Sequence, residues 1–134
     1  MKPHTTSIAV EPSRRRAFGE VQEKAAAQYL IAQGLELISA NYQCKLGEID
    51  LIMRDTTCLV FVEVRFRRSL AYGTPAESVD YRKQRKLMRT AQSYLKSLQL
   101  TNRAPCRFDV LGISPGQKSG SFHFDWIQSA FEMA

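Results

Sequence analysis

GEIDLIMRDTTCLVFVEVRFR, residues Gly47 to Arg67, holds two runs of strand character around the polar break Asp55-Thr56-Thr57. Strict alternation in the first run sets Ile49, Leu51 and Met53 on one face and Glu48, Asp50, Ile52 and Arg54 on the other. In the second, Cys58, Val60, Val62, Val64 and Phe66 share a face, with Leu59, Phe61, Glu63, Arg65 and Arg67 behind them. The second run is too apolar to lie half in water. A two-residue turn at Thr56-Thr57, or a four-residue loop from Asp55 to Cys58, brings Asp50 opposite Glu63, with β-carbons about 4.5–5.5 Å apart. Two carboxylates about 5 Å apart repel by roughly 3 kcal/mol at an effective dielectric near 20, so the pair needs a shared proton or a cation. A hard divalent ion, Mg²⁺ or Mn²⁺, suits such oxygen ligands. A three-residue turn would send the two acids to opposite faces. A surface hairpin whose acids pair with Arg54, Arg65 and Arg67 is the competing reading.

Upstream, Phe18, Val21, Ala25, Ala26, Tyr29, Leu30 and Ala32 recur at helical spacing, predicting an amphipathic helix from about Ala17 to Gln33 that Gly34 stops. Glu23 lies at the edge of that stripe. Met1 to Ser13 carries two prolines and no periodicity, so 1–13 is expected to be a disordered tail ahead of a single domain, 14–134. Leu35 to Tyr42 reads as a strand entering the hairpin through Gly47.

Downstream, Tyr72-Gly73-Thr74-Pro75 is a loop signature, and Tyr72 is placed to stack on a base. Asp80 is an N-cap for a helix to about Gln99, with Leu87, Ala91, Tyr94, Leu95 and Leu98 as its apolar stripe. Gln84 falls one turn before Leu87, and an inward glutamine there needs a hydrogen-bond partner. Arg82, Lys86 and Arg89 point elsewhere. Arg107 to Ile113 and Ser121 to Ile127 read as strands, followed by a short helix ending at Ala134. Asp109 is expected to partner an arginine or support the acidic site, and Trp126 to pack.

The chain of 134 residues suits one domain. Nineteen basic residues against thirteen acidic ones leave a net charge of +6, concentrated in Arg14 to Arg16, Arg65 to Arg68 and Arg82 to Arg89. Such clustering favours a polyanionic partner, nucleic acid before an acidic protein. Cys44, Cys58 and Cys106 lack CxxC spacing, and with only His4 and His123 available a zinc site or a thiol-histidine nucleophile is poorly supported. No apolar run approaches the roughly 20 residues of a membrane helix, and the N-terminus lacks a signal-peptide core. A cytoplasmic location is expected.

The stretch from Asn41 to Arg68, with GEID and a strand ending in VFVEVR, resembles the YraN family of bacterial proteins, and the similarity runs from about Gly19 to Phe131. That family is placed in the restriction-endonuclease-like superfamily, beside archaeal Holliday-junction resolvases and RecB-type nuclease domains. The resemblance implies an α/β fold with a three-layer α/β/α core, a mixed sheet of about five strands flanked by helices. It also implies metal-dependent endonuclease chemistry in DNA repair or recombination. By the same resemblance Glu23, Asp50 and Glu63 are the candidate Mg²⁺ or Mn²⁺ ligands, and Gln84 supports the site. Arg65 stands where most superfamily nucleases have lysine; unlike lysine it cannot be deprotonated in a protein, so it orients water and offsets charge but is no general base. Arg67, Arg68, Arg82, Lys83, Lys86 and Arg89 are the expected backbone contacts to nucleic acid, DNA in first place. A non-catalytic DNA- or RNA-binding module on the same fold is the alternative. A homodimer is compatible with an exposed hairpin edge.

Overall fold

The computed structural model describes residues 10–68, 73–100 and 104–132. Tyr72 and His4 lie outside them, as do the side chains of Arg14, Arg15 and Arg16. The elements run α1 (Val10–Ala32), β1 (Glu36–Cys44), β2 (Gly47–Asp55), β3 (Cys58–Phe66), a short 3-10 turn (Ala76–Ser78), α2 (Tyr81–Ser97), β4 (Cys106–Pro115) and β5 (Phe122–Phe131). The strands form one sheet in chain order. Only β3 and β4 are parallel, and α2 makes the crossover that parallel neighbours require.

Hydrophobic burial divides into two clusters, one on each face. α2 contributes Leu87, Met88, Ala91, Tyr94 and Leu95 against Ile52, Phe61, Phe108 and Val110. α1 contributes Ala26, Ala27 and Leu30 against Leu51, Met53, Val60, Val62, Leu111 and Ile113. The three-layer α/β/α arrangement around a five-stranded mixed sheet is therefore the one expected. β3, covered on both sides, is the strand whose apolar run forbade exposure.

The turn is the two-residue one: Asp55 pairs with Cys58 and Leu51 with Val62. Gly34, at φ +106, ends α1; the Leu35 N–H reaches the Leu30 carbonyl at 3.1 Å and the Gly34 N–H reaches Ile31 at 2.9 Å, the αL cap that glycine permits. Asp80 caps α2 by accepting from the Lys83 N–H at 2.9 Å.

Four expectations need correction. α1 begins at Val10, so residues 10–13 are helical rather than tail; Pro12 falls in the first turn, where an N–H has no intrahelical acceptor to lose. The inward line of α1 is Gln22, Ala26 and Leu30, whereas Val21 is 56% exposed, a rotation by one position that the sheet surface imposes. Ile49 packs on the α2 side with Ile52 rather than with Leu51, because the alternation of β2 breaks at Asp50. Among the described residues no helix follows residue 127: β5 continues to Phe131, which pairs with Phe108 and stacks on its ring with centroids 5.0 Å apart.

Candidate active site

The β2–β3 ladder stops at Leu51↔Val62, and one residue further the Asp50 side chain replaces the missing backbone acceptor: Oδ2 accepts from the Val64 N–H at 2.8 Å. That bond turns the Asp50 carboxylate toward β3, where Glu63 projects on the α2 side. The two acids meet. Glu63 is 6% exposed, and burial followed by the neighbouring Asp50 charge pushes its carboxyl up to about 7, against the pull of Lys83 and Arg65. Asp50 is also raised, by burial first, while the Val64 N–H and a hydrogen bond with Glu63 lower it. The two carboxyls are hydrogen-bonded to each other, and Glu63 in its protonated form can donate to the Asp50 carboxylate, one way two facing acids relieve their repulsion.

Two cations reach the same oxygen. Arg65 Nη2 stands 3.3 Å from Glu63 Oε2, from two residues along β3, and Lys83 Nζ stands 3.6 Å away, from the first turn of α2. Helical side chains lean toward the N-terminus, which carries Lys83 back over the strand ends. The rotation of α2 is set by close packing at Gly47. A β-carbon there, at φ +155, would lie 2.8 Å from Thr90 Oγ1 and 3.1 Å from Lys86 Cε. Only glycine lets the β1–β2 turn approach the helix so closely.

Glu23 reaches the site region from α1 but is not gathered into the pair. Its carboxyl is raised by partial burial, held down in part by a hydrogen bond from Asn41, and feels Asp50, Glu48 and Glu20 as repelling charges. Asn41 sits at φ +56 in β1, a left-handed conformation that asparagine tolerates. Among the described residues, no group of three or more His, Cys, Asp or Glu side chains is close enough to hold a metal ion. Gln84 turns elsewhere: its amide donates to the Val79 carbonyl at 3.0 Å, tying the first turn of α2 to the preceding segment. Asp109 partners Arg107, and Trp126 donates its indole N–H to Asp109 besides packing on Tyr29.

Of the expected backbone contacts, Arg68, Arg82, Lys86 and Arg89 are exposed and Arg67 is half-buried, its N–H bonded to the Ile113 carbonyl at 2.7 Å. One residue in this region escapes the sequence reading, and another makes a contact there beyond the expected one. Asn41 was legible only as a strand-breaking residue inside a strand pattern. Lys83, expected among the backbone contacts, also reaches Glu63, because its place three residues after the Asp80 cap points it back toward the strand ends.

A profile of the Uncharacterised protein family UPF0102, the YraN family, matches residues 22–113. The chain belongs to this family. A UPF0102 protein of Pseudomonas syringae pv. tomato is 48% identical over 123 residues, covering 90% of this chain and 96% of its own. Family members from Saccharophagus degradans and Nitrosococcus oceani are 46% and 43% identical, over 90% and 92% of this chain and 98% of theirs. The match spans the hairpin, α2 and most of β4, so the Asp50, Glu63, Arg65 and Lys83 positions all lie inside it. Among solved structures, Pyrococcus furiosus SfsA in complex with Ca²⁺ aligns with a TM-score of 0.41 at 14% identity, over 85% of this chain and 63% of SfsA.

Proposed function

We propose that the chain is a nucleic-acid-binding phosphodiesterase, DNA being the first substrate to test, with Asp50 and Glu63 as its divalent-metal ligands. The observation that carries this reading is the meeting of Asp50 and Glu63 in a proton-sharing pair at the point where β2 and β3 part. The carboxylate oxygens of Asp50 and Glu63 are the hard ligands that Mg²⁺ or Mn²⁺ favours, and a cation between them would neutralise both. An ion held there would supply positive charge against the charge developing on the phosphoryl oxygens. Arg65 and Lys83 hold the phosphate side of the cluster cationic. Glu23, hydrogen-bonded to Asn41, adds negative potential from α1, and its proposed role is to hold a ligand water. In the hydrolysis, a water oxygen bonds to phosphorus as the bond to the leaving oxygen breaks. One water proton ends on the leaving oxygen and the other in solvent.

Exposed Arg68, Arg82, Lys86 and Arg89, with half-buried Arg67, supply backbone contacts, giving binding that weakens with salt at a slope near 0.9 per phosphate neutralised on a duplex. No helix among the described residues is long and apolar enough to cross a membrane, and we place the activity in the cytoplasm, in repair or recombination. Cleavage of branched and linear DNA with Mn²⁺ tests the reading: Asp50→Asn and Glu63→Gln should each lose activity by at least about a hundredfold, and equal cleavage by all three proteins removes it.

The separation of Glu23 from the pair favours one rival, a non-catalytic binding module with no use for metal. Calorimetric titration with Mn²⁺ separates the two. The proposed enzyme releases heat that vanishes in Asp50→Asn, and the rival shows none.

A further inference from the structure

Among the described residues Tyr81 is the one exposed aromatic. It is 66% exposed, whereas the other rings are buried or half-buried, in packed pairs such as Phe61 on Phe108 and Tyr29 on Phe124. Tyr81 is also the first residue of α2, and Arg82, Lys83, Arg85, Lys86 and Arg89 follow it on that helix. The Arg85 guanidinium lies over the ring, 5.7 Å from its centroid, one turn along. It steadies one face of the ring by cation–π attraction and leaves the other to solvent. The turn beneath is fixed twice, by the Asp80 cap and by the Gln84 amide on the Val79 carbonyl. On the far side of this turn Lys83 stands 3.6 Å from Glu63, so the ring and the acid pair lie about 10 Å apart, the width of a helix.

An open aromatic face among cations is the combination that holds an unstacked nucleobase, the ring taking the base and the cations its phosphates. In a continuous duplex the base faces are stacked inside, and only base edges and backbone reach a protein surface. A ring at the surface then has nothing to stack on.

Resting on the nucleic-acid partner of the reading above but not on its metal chemistry, we propose that Tyr81 is a base-stacking residue and that the substrate presents an unpaired base at the start of α2. The substrate class is single-stranded DNA, or the single-stranded arm of a branched molecule, rather than continuous duplex. The base lies on the ring face opposite Arg85, and exposed Arg82 and Lys86 meet the phosphates that flank it. The strand then rounds the first turn of α2 toward Lys83 and the acid pair.

The test is fluorescence polarisation in EDTA, so that binding is read without hydrolysis. The labelled ligands, each about 20 nucleotides long, are oligo(dT), its abasic sugar-phosphate backbone and a blunt duplex. Tyr81→Ala should bind oligo(dT) about tenfold more weakly and the abasic backbone and the duplex as the wild type does, because only the base contact is gone. Tyr81→Trp should keep the affinity, and its added emission should be quenched as oligo(dT) binds. Arg89→Gln, which removes a backbone contact, should weaken all three ligands alike. Equal oligo(dT) affinity in Tyr81→Ala and the wild type, or a loss of the same size on the abasic backbone, overturns the stacking role. If stacking fails while Asp50→Asn and Glu63→Gln still lose cleavage, the phosphodiesterase reading stands. If stacking holds while those two cleave normally, that reading falls alone, and failure of the wild type to bind any of the three ligands removes both.

Discussion

Glu63 and Asp109 stand on neighbouring parallel strands, both buried, facing opposite layers of the same sheet. Asp109, 1% exposed, is surrounded by directed donors: Arg107 Nε at 3.1 Å, Trp126 Nε1 at 2.9 Å and the Ser129 N–H at 2.9 Å. Arg107 goes on to Asp55 at 3.0 Å, closing the hairpin end of β2 and β3 onto β4. Glu63 has a second acid beside it and two cations at longer range. An acid that serves the fold is satisfied by fixed hydrogen bonds, whereas an acid crowded by another keeps a tension that a proton or a metal ion relieves.

The largest expected effect is at the satisfied acid. Asp109→Ala leaves Arg107 and the Trp126 and Ser129 donors short of a buried partner and should destabilise the protein by about 3–5 kcal/mol, read from urea unfolding. A loss under about 1 kcal/mol would erase the contrast, since Asp109 would then be no structural anchor.

Next comes pH, at the crowded acid. Because the folded protein raises the Glu63 carboxyl from 4.5 to about 7, its contribution to stability is full below 4.5 and is lost as pH rises through about 7. The metal-free protein should therefore weaken by up to about 3 kcal/mol across that window. Glu63→Gln should flatten that part of the profile and be the more stable protein at about pH 8. Thermal melts across the window check this, and a wild-type profile as flat as that of the variant would show that the two acids do not compete for a proton.

The smallest effect is expected on the surface. Arg54 and Glu36 form an ion pair across β1 and β2 with side chains 47% and 63% exposed. Glu36→Gln should change stability by no more than about 0.5 kcal/mol, which marks how little charge pairing matters once water reaches it.

The hairpin was legible because its information is local. The period of two, the turn length and the positions of Asp50 and Glu63 lie within a single stretch, and the observed register follows from the two-residue turn. The Asp80 cap was legible for the same reason. Residues whose partners are remote were misread: Ile49 changes side because the ladder ends beside it, and the line through Gln22 faces in because the sheet beneath α1 selects it. At the C-terminus, residues 128–131 pair with a strand already bound to β3, and no pattern inside those residues announces that partner.

By itself the sequence determined the strand character of β2 and β3, the basic residues of α2 and the two acids that a turn of two or four residues brings face to face, since each depends on neighbours a few residues away. Only the tertiary structure decided that Lys83 joins Glu63, that Gln84 serves the backbone, and that Glu23 stands with Asn41 apart from the pair. Those outcomes depend on how each helix is rotated and set against the sheet. That choice is made by packing over the whole core, at Gly47 against Thr90 and along the Gln22 line, and a local pattern carries no record of it.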